Sequence, residues 1–299
     1  MLLDTGSDFE RAMHRAKLQT ILSTLQWERP DLLSFYEVTD LIKPTKQTYL
    51  GMKTIPIKDI IGSEGRHRDF SSKFYPKRQE LSSRWQRIDR ANKSNIILPS
   101  ISVYKLGDKY FVRDGNHRVS VAKSLGIEFI DAEVVELDSE IKLESGMTIQ
   151  KIKQEVVEYE RKRFLENYHP EAFLDMDRIV FTSPGSYPEL VNHIKVHKYY
   201  INQDKDYEIS FESAAKSWQK NVFLPIANYV RSSHLLKAYP GNTEADAYLW
   251  IVRHWDNMKH EQNKNNISIK TASEDYKINF SKGFLKRWLK SIKTKLSRK

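Results

Sequence analysis

One segment constrains the fold of this chain more than any other. Residues 109–126 read as a strand, an Asp114-Gly115 turn and a helix that begins at once on Asn116. The helix, 116–125, is closed by Gly126 at the position that favours a left-handed residue. A helix N-terminus leaves backbone N–H groups unpaired and carries partial positive charge. Two potential cations, His117 and Arg118, stand in that first turn. Gly115 lets an anion approach the backbone, and Arg118 can grip phosphate oxygens through two parallel hydrogen bonds. The segment therefore predicts a phosphate cradle. The same residues also fit a plain tight turn in which Arg118 pairs with a surface acid, and spacing alone leaves both readings open.

The surrounding pattern predicts strands mixed with helices. A first helix spans 8–26, with Asp8 as its cap, Phe9, Ala12 and Ala16 on its apolar face and Pro30 beyond its end. Ser34 and Glu37 have capping-box spacing before a short helix to Ile42. Residues 53–61 read as one strand and its exit, 80–92 as a helix with Leu81, Trp85 and Ile88 on one face. The strands 99–104 and 109–113 flank a Gly107-Asp108 turn, and 129–137 is a further strand. The second half reads as a long charged helix, 148–167, a short strand at 179–181, another beginning near Val196, and helices 211–232 and 243–261. Pro225 should kink or divide the first of these two.

Asp114-Gly115-Asn116-His117-Arg118, with Ala122 four residues on and Gly126 at the helix end, resembles the signature of the ParB/sulfiredoxin-like domain. ParB proteins carry G-E-R-R-x-x-A-A-type sequences at this place and bind CTP. Sulfiredoxins carry G-G-C-H-R and bind ATP, and a free-serine kinase of the same fold carries D-G-H-H-R. The resemblance covers about residues 50–137. It implies an α/β (α+β) fold with a ParB/sulfiredoxin-like domain at 49–140, and the pattern of elements around it predicts an N-terminal helical extension (1–48), a mainly helical α+β domain (141–262) and a linker with a tail (263–299). The resemblance also implies a nucleotide, ATP, ADP or CTP with Mg²⁺, as the bound cofactor.

The departures from the family narrow the activity. The chain has no cysteine, and Asn116 stands where sulfiredoxin needs one, so sulfinic-acid repair is excluded. Asn116 and His117 replace the ParB acid and first arginine, and no helix-turn-helix follows residue 140. Two classes remain open. One is a kinase-like phosphotransferase or nucleotide hydrolase. The other is a non-enzymatic regulator that associates with DNA, protein or membrane under nucleotide control.

The loop 62–69 lies where this fold contributes its second set of nucleotide contacts. Arg66 and Arg68 can neutralise phosphates there. Glu64 is a candidate general base, and Asp114 a candidate catalytic carboxylate, since phosphoryl transfer needs mainly positioning, charge neutralisation and a base. A solvated charged loop is the plainer account of the same residues. His193 and His197 have the spacing of two metal ligands on a helix, but no third ligand accompanies them, and structural or surface histidines are expected.

The net charge of +10 is unevenly spread. Residues 280–299 hold eight Lys/Arg and no acid, which leaves +2 on residues 1–279. Phe284, Leu285, Trp288, Leu289 and Ile292 fall on one side of a helix in this tail. A basic amphipathic helix can lie on an anionic membrane, bind DNA, dock on a partner or pack on the protein's own body. The N-terminus shows no basic then apolar leader, and a cytoplasmic protein is expected.

Overall fold

The computed structural model describes residues 4–25, 32–144, 146–203, 205–262, 271 and 273. The fold is mixed α/β, and the chain divides into two compact units, 1–156 and 157–299. The division falls inside the helix Ile149–Tyr168, later than the 140/141 boundary read from the sequence. Ile141 and Leu143 are buried, and the Asp138 N–H donates to the Lys46 carbonyl at 2.9 Å. The segment after residue 137 is thus bound to the N-terminal unit by apolar burial and backbone pairing.

The N-terminal unit opens with α1 (Thr5–Leu25). Asp4, rather than Asp8, serves its start, accepting the Ser7 N–H at 3.1 Å. Asp8 instead pairs with Arg11 and Lys93. The strand β1 (Leu33–Ser34) leads into α2 (Phe35–Ile42), where the Ser34 hydroxyl accepts the Glu37 N–H as the capping spacing predicts. The next elements are β2 (Gln47–Pro56) and β3 (Ile60–Ser63). A 3₁₀ turn at Ile57–Asp59 separates them and splits the single strand expected at 53–61. The Ile57 N–H donates to the Glu128 carbonyl at 2.9 Å, and the Ile60 N–H donates back to the Ile57 carbonyl, which closes the turn.

Then follow α3 (Ser82–Lys93), β4 (Ile101–Leu106), β5 (Lys109–Asp114), α4 (Asn116–Ser124), β6 (Phe129–Leu137) and α5 (Ile149–Tyr168). The six strands form one sheet in the order β1-β3-β5-β4-β6-β2. The pairs β1/β3, β3/β5 and β4/β6 are parallel, whereas β4/β5 and β2/β6 are antiparallel. Successive strand residues face opposite sides. Val112 joins Trp85, Val119 and Val121 in one apolar cluster. Phe111 meets Phe35 of α2, with ring centroids 5.8 Å apart. Helices α3 and α4 therefore cover one face and α2 the other.

The C-terminal unit is helical: α6 (Ser186–Asn202), α7 (Phe211–Trp218), α8 (Leu224–Ser232) and α9 (Glu244–Gln262) follow the end of α5. Tyr187, Trp218, Phe223 and Tyr248 fill its core. Residues 179–181 form no strand. Ile179 and Phe181 are buried, and the next N–H, that of Thr182, donates to Asp246 at 3.0 Å. Asp246 and Thr243 also close a reciprocal capping box at the start of α9. No strand begins near Val196 either, because Leu190 and Ile194 bury one side of α6 and carry the helix through it. A π-helical turn at Gln219–Phe223 separates α7 from α8 just before Pro225, which lacks the N–H a continuous helix needs.

The basic tail 280–299 lies outside the described residues, as does the stretch read as a linker apart from residue 262, Thr271 and a buried Ser273. Among the described residues, no helix is long and apolar enough to cross a membrane.

Candidate functional site

Parallel pairing of β3 with β5 sets Ser63 beside Val112, so both strands deliver their following loops to the same edge of the sheet. Open α/β sheets place ligands at the carboxyl ends of such strands. The Glu64 N–H extends the pairing by donating to the Val112 carbonyl at 2.9 Å, and the Ser63 hydroxyl accepts the Arg66 N–H at 3.2 Å. The loop 64–69 is thereby held beside the turn at Asp114 and the start of α4.

At that turn Gly115 adopts φ +105°, a conformation side chains disfavour. A Cβ there would stand 2.4 Å from Ile101 Cγ2. The glycine thus lets α4 start directly against β4. Asn116 and His117 are buried, and neither Asn116 Oδ1 nor His117 Nε2 has a hydrogen-bond partner among the described residues. Buried polar atoms are normally paired, so two orphans side by side at a helix N-terminus are notable.

His117 is the point where the loops converge. Its ring stands edge-on to Phe70, with centroids 5.4 Å apart. Burial, then the positive charges of Arg84 and Arg66, push its pKa down to about 4, against a smaller opposing effect of Asp69. The imidazole is therefore neutral at pH 7. Arg66 pairs with Asp69 at 3.0 Å, and Arg78 reaches the same carboxylate at 3.4 Å. Arg66 remains half exposed, and Arg68 is exposed with no ion-pair partner among the described residues.

Arg118 is already engaged. Its Nη1 donates to the Pro99 and Ser100 carbonyls at 2.6 and 2.8 Å, and its Nη2 pairs with Asp114. Glu64 accepts a hydrogen bond of 2.8 Å from the Tyr36 hydroxyl, which raises the Tyr36 pKa. Residues 114–118, 64 and 66 thus cluster at one sheet edge, while Arg68 also lines a separate large cavity of the same unit.

A phosphate group fits these residues. Cations, a helix N-terminus and unpartnered buried atoms converge on His117 and Asn116. Among the described residues, no group of three or more His, Asp or Glu could hold a metal ion, so Mg²⁺ would have to arrive largely coordinated by phosphate oxygens. His193 Nδ1 lies 2.9 Å from the Tyr248 hydroxyl and His197 Nε2 3.0 Å from Ser217 Oγ, so both rings serve packing in the C-terminal unit. Arg84, Phe70 and Tyr36 are the site members that sequence reasoning missed. Only the position of Arg84 beside Trp85 on a helix could have pointed to one of them.

A scan against protein-family models and a search of curated proteins both return no match. Among solved structures, the chain matches a Pnob8-like ParB-N domain at 10% identity, over 72% of this chain and 83% of that chain, with a TM-score of 0.22. A superposition that loose carries no argument about fold or function.

Proposed function

We propose that the N-terminal unit binds the phosphate groups of a nucleotide at the carboxyl ends of β3 and β5. The observation that carries this reading is the convergence on His117. A buried, neutral imidazole with an unpartnered Nε2 sits in the first turn of α4, under the charges of Arg66 and Arg84. The α4 N–H groups, Arg66 and Arg68 would hold phosphate oxygens, while Arg118 would position the turn rather than touch the ligand. ATP, ADP and CTP are the candidates, given the ParB/sulfiredoxin-like signature at 114–118.

Binding without turnover is favoured by the state of the two candidate catalytic carboxylates. Glu64 is hydrogen-bonded to Tyr36 and Asp114 is ion-paired to Arg118. A nucleotide-controlled regulator is therefore the first reading, and a phosphotransferase or hydrolase the second.

Thermal shift and titration calorimetry with ATP, ADP, CTP and GTP, each with and without Mg²⁺, test the proposal, because a ligand that binds only the folded state raises its stability. One nucleotide should stabilise the protein, and the double variant Arg66→Ala, Arg68→Ala should bind it at least tenfold more weakly. If none binds at millimolar concentration, the reading is wrong. Phosphate release that Glu64→Gln or Asp114→Asn abolishes would replace the regulator with the enzyme.

A further inference from the structure

A cavity of about 1150 Å³ opens in the N-terminal unit, and none of residues 114–118 lines it. It is lined at once by cations and by apolar surface. Lys58, Arg68, Lys73 and Lys123 bring four positive charges, and only Glu37 and Glu128 bring negative ones. Among the described residues Lys58, Arg68 and Lys73 have no ion-pair partner, and all three are exposed. Ile57, Tyr75 and Phe129 contribute the apolar wall.

Lys123, near the end of α4, differs from the other three. Its Nζ donates to the Ile60 carbonyl at 3.1 Å and stands 4.8 Å from the centre of the Phe74 ring. A carbonyl and a ring face are both neutral, so this ammonium is held in the wall without a carboxylate to neutralise it. The Asp59 carboxylate bears on it from the 3₁₀ turn but is itself paired with Lys109 at 2.7 Å. Burial pushes the Lys123 pKa down to about 8. Near the same cavity, His67 Nδ1 is buried and unpartnered. An excess of cations over an apolar wall is complementary to a ligand with an apolar body and an anionic head.

We infer that this cavity binds an amphiphilic organic anion, with its carboxylate or phosphate head on Lys123, Lys58 and Lys73 and its apolar body against Ile57, Tyr75 and Phe129. The inference does not rest on the nucleotide reading. An anion beside Lys123 favours its charged form, so binding takes up a proton and affinity falls as pH rises above about 8.

The test uses the full chain and the fluorescence of the aromatic sulfonate 1-anilinonaphthalene-8-sulfonate, displaced by decanoate, decyl phosphate or uncharged decanol. Decanoate or decyl phosphate should displace the dye at a single saturable site at least tenfold more effectively than decanol. Preference for either head supports the inference and distinguishes a fatty acid from a phosphate ester. The exposed double variant Lys58→Glu, Lys73→Glu should bind at least tenfold more weakly while keeping its circular dichroism and its response to nucleotide. Lys123→Met should also weaken binding, and Lys123→Arg should flatten the pH dependence. Equal displacement by decanol, or unchanged affinity in the Lys58/Lys73 double variant, would overturn the inference whether or not Lys123→Met folds.

Discussion

Trp85 Nε1 donates a hydrogen bond of 3.0 Å to Ser120 Oγ, with both residues fully buried, and so joins α3 to α4 beneath the candidate site. A buried N–H left without an acceptor costs about 1–3 kcal/mol. Ser120→Ala should destabilise the protein by about that amount in urea unfolding. Loss of less than ~0.5 kcal/mol would show that the bond contributes little.

Arg118→Ala should act first on stability. Its guanidinium holds two backbone carbonyls ahead of β4 and the Asp114 carboxylate. Removing a charged donor from such acceptors costs about 1.5–3 kcal/mol. Hydrogen exchange should accelerate at the start of β4 and the Asp114 turn. A variant that loses nucleotide affinity with unchanged exchange would restore Arg118 to the role of a direct phosphate ligand.

Gly115→Ala should be among the most damaging small substitutions in the chain. The left-handed φ alone costs a residue with a Cβ about 1–2 kcal/mol, and contact with Ile101 adds to it. Ile101→Ala in the same chain removes the contact but not the backbone penalty. The double variant should therefore be less destabilised than the sum of the two single ones.

The pH dependence follows from the depressed pKa of His117. The unfolded histidine titrates near 6.5 and the folded one near 4, so between these values the unfolded state binds the extra proton. Stability should fall as pH drops from 6.5 towards 4 and be fully present above 6.5. Burial depresses His193 and His197 in the same direction, so the His117 share is read from His117→Gln. That variant should flatten the curve without abolishing the slope. A phosphate bound beside His117 should raise its pKa, visible as a downfield-shifted imidazole resonance on nucleotide addition near pH 6.

Deleting 280–299 should weaken salt-sensitive binding to anionic vesicles or DNA, and leave nucleotide affinity unchanged. Trp288→Ala with Leu289→Ala should abolish vesicle binding if the apolar side inserts, but leave DNA binding intact. A truncated protein that unfolds would mean that the tail belongs to a core.

Local chemistry carried much of this fold in the sequence. The strand 129–137 and the helix opening at Asn116 are where alternation, Asp-Gly and Gly126 placed them, because each is specified by neighbours in the chain. The parallel pairing of β3 with β5 was not legible. Residues 60–63 are too short for alternation to show, and their partners lie about fifty positions away. Arg118 illustrates the limit at the site: its residue type and spacing suit phosphate, and only the fold brings the carbonyls of residues 99 and 100 within its reach. Lys123 shows the same limit, since nothing local in the sequence reveals that its ammonium meets Phe74.

The strand order carries a consequence for synthesis of the chain. The strands β1 and β2 are neighbours in sequence yet occupy opposite edges of the sheet, and among the described residues β2 pairs only with β6. As the polypeptide leaves the ribosome, the 47–56 segment has no strand to join until residue 137 has emerged. The strand β2 must therefore wait unpaired for one made some eighty residues later.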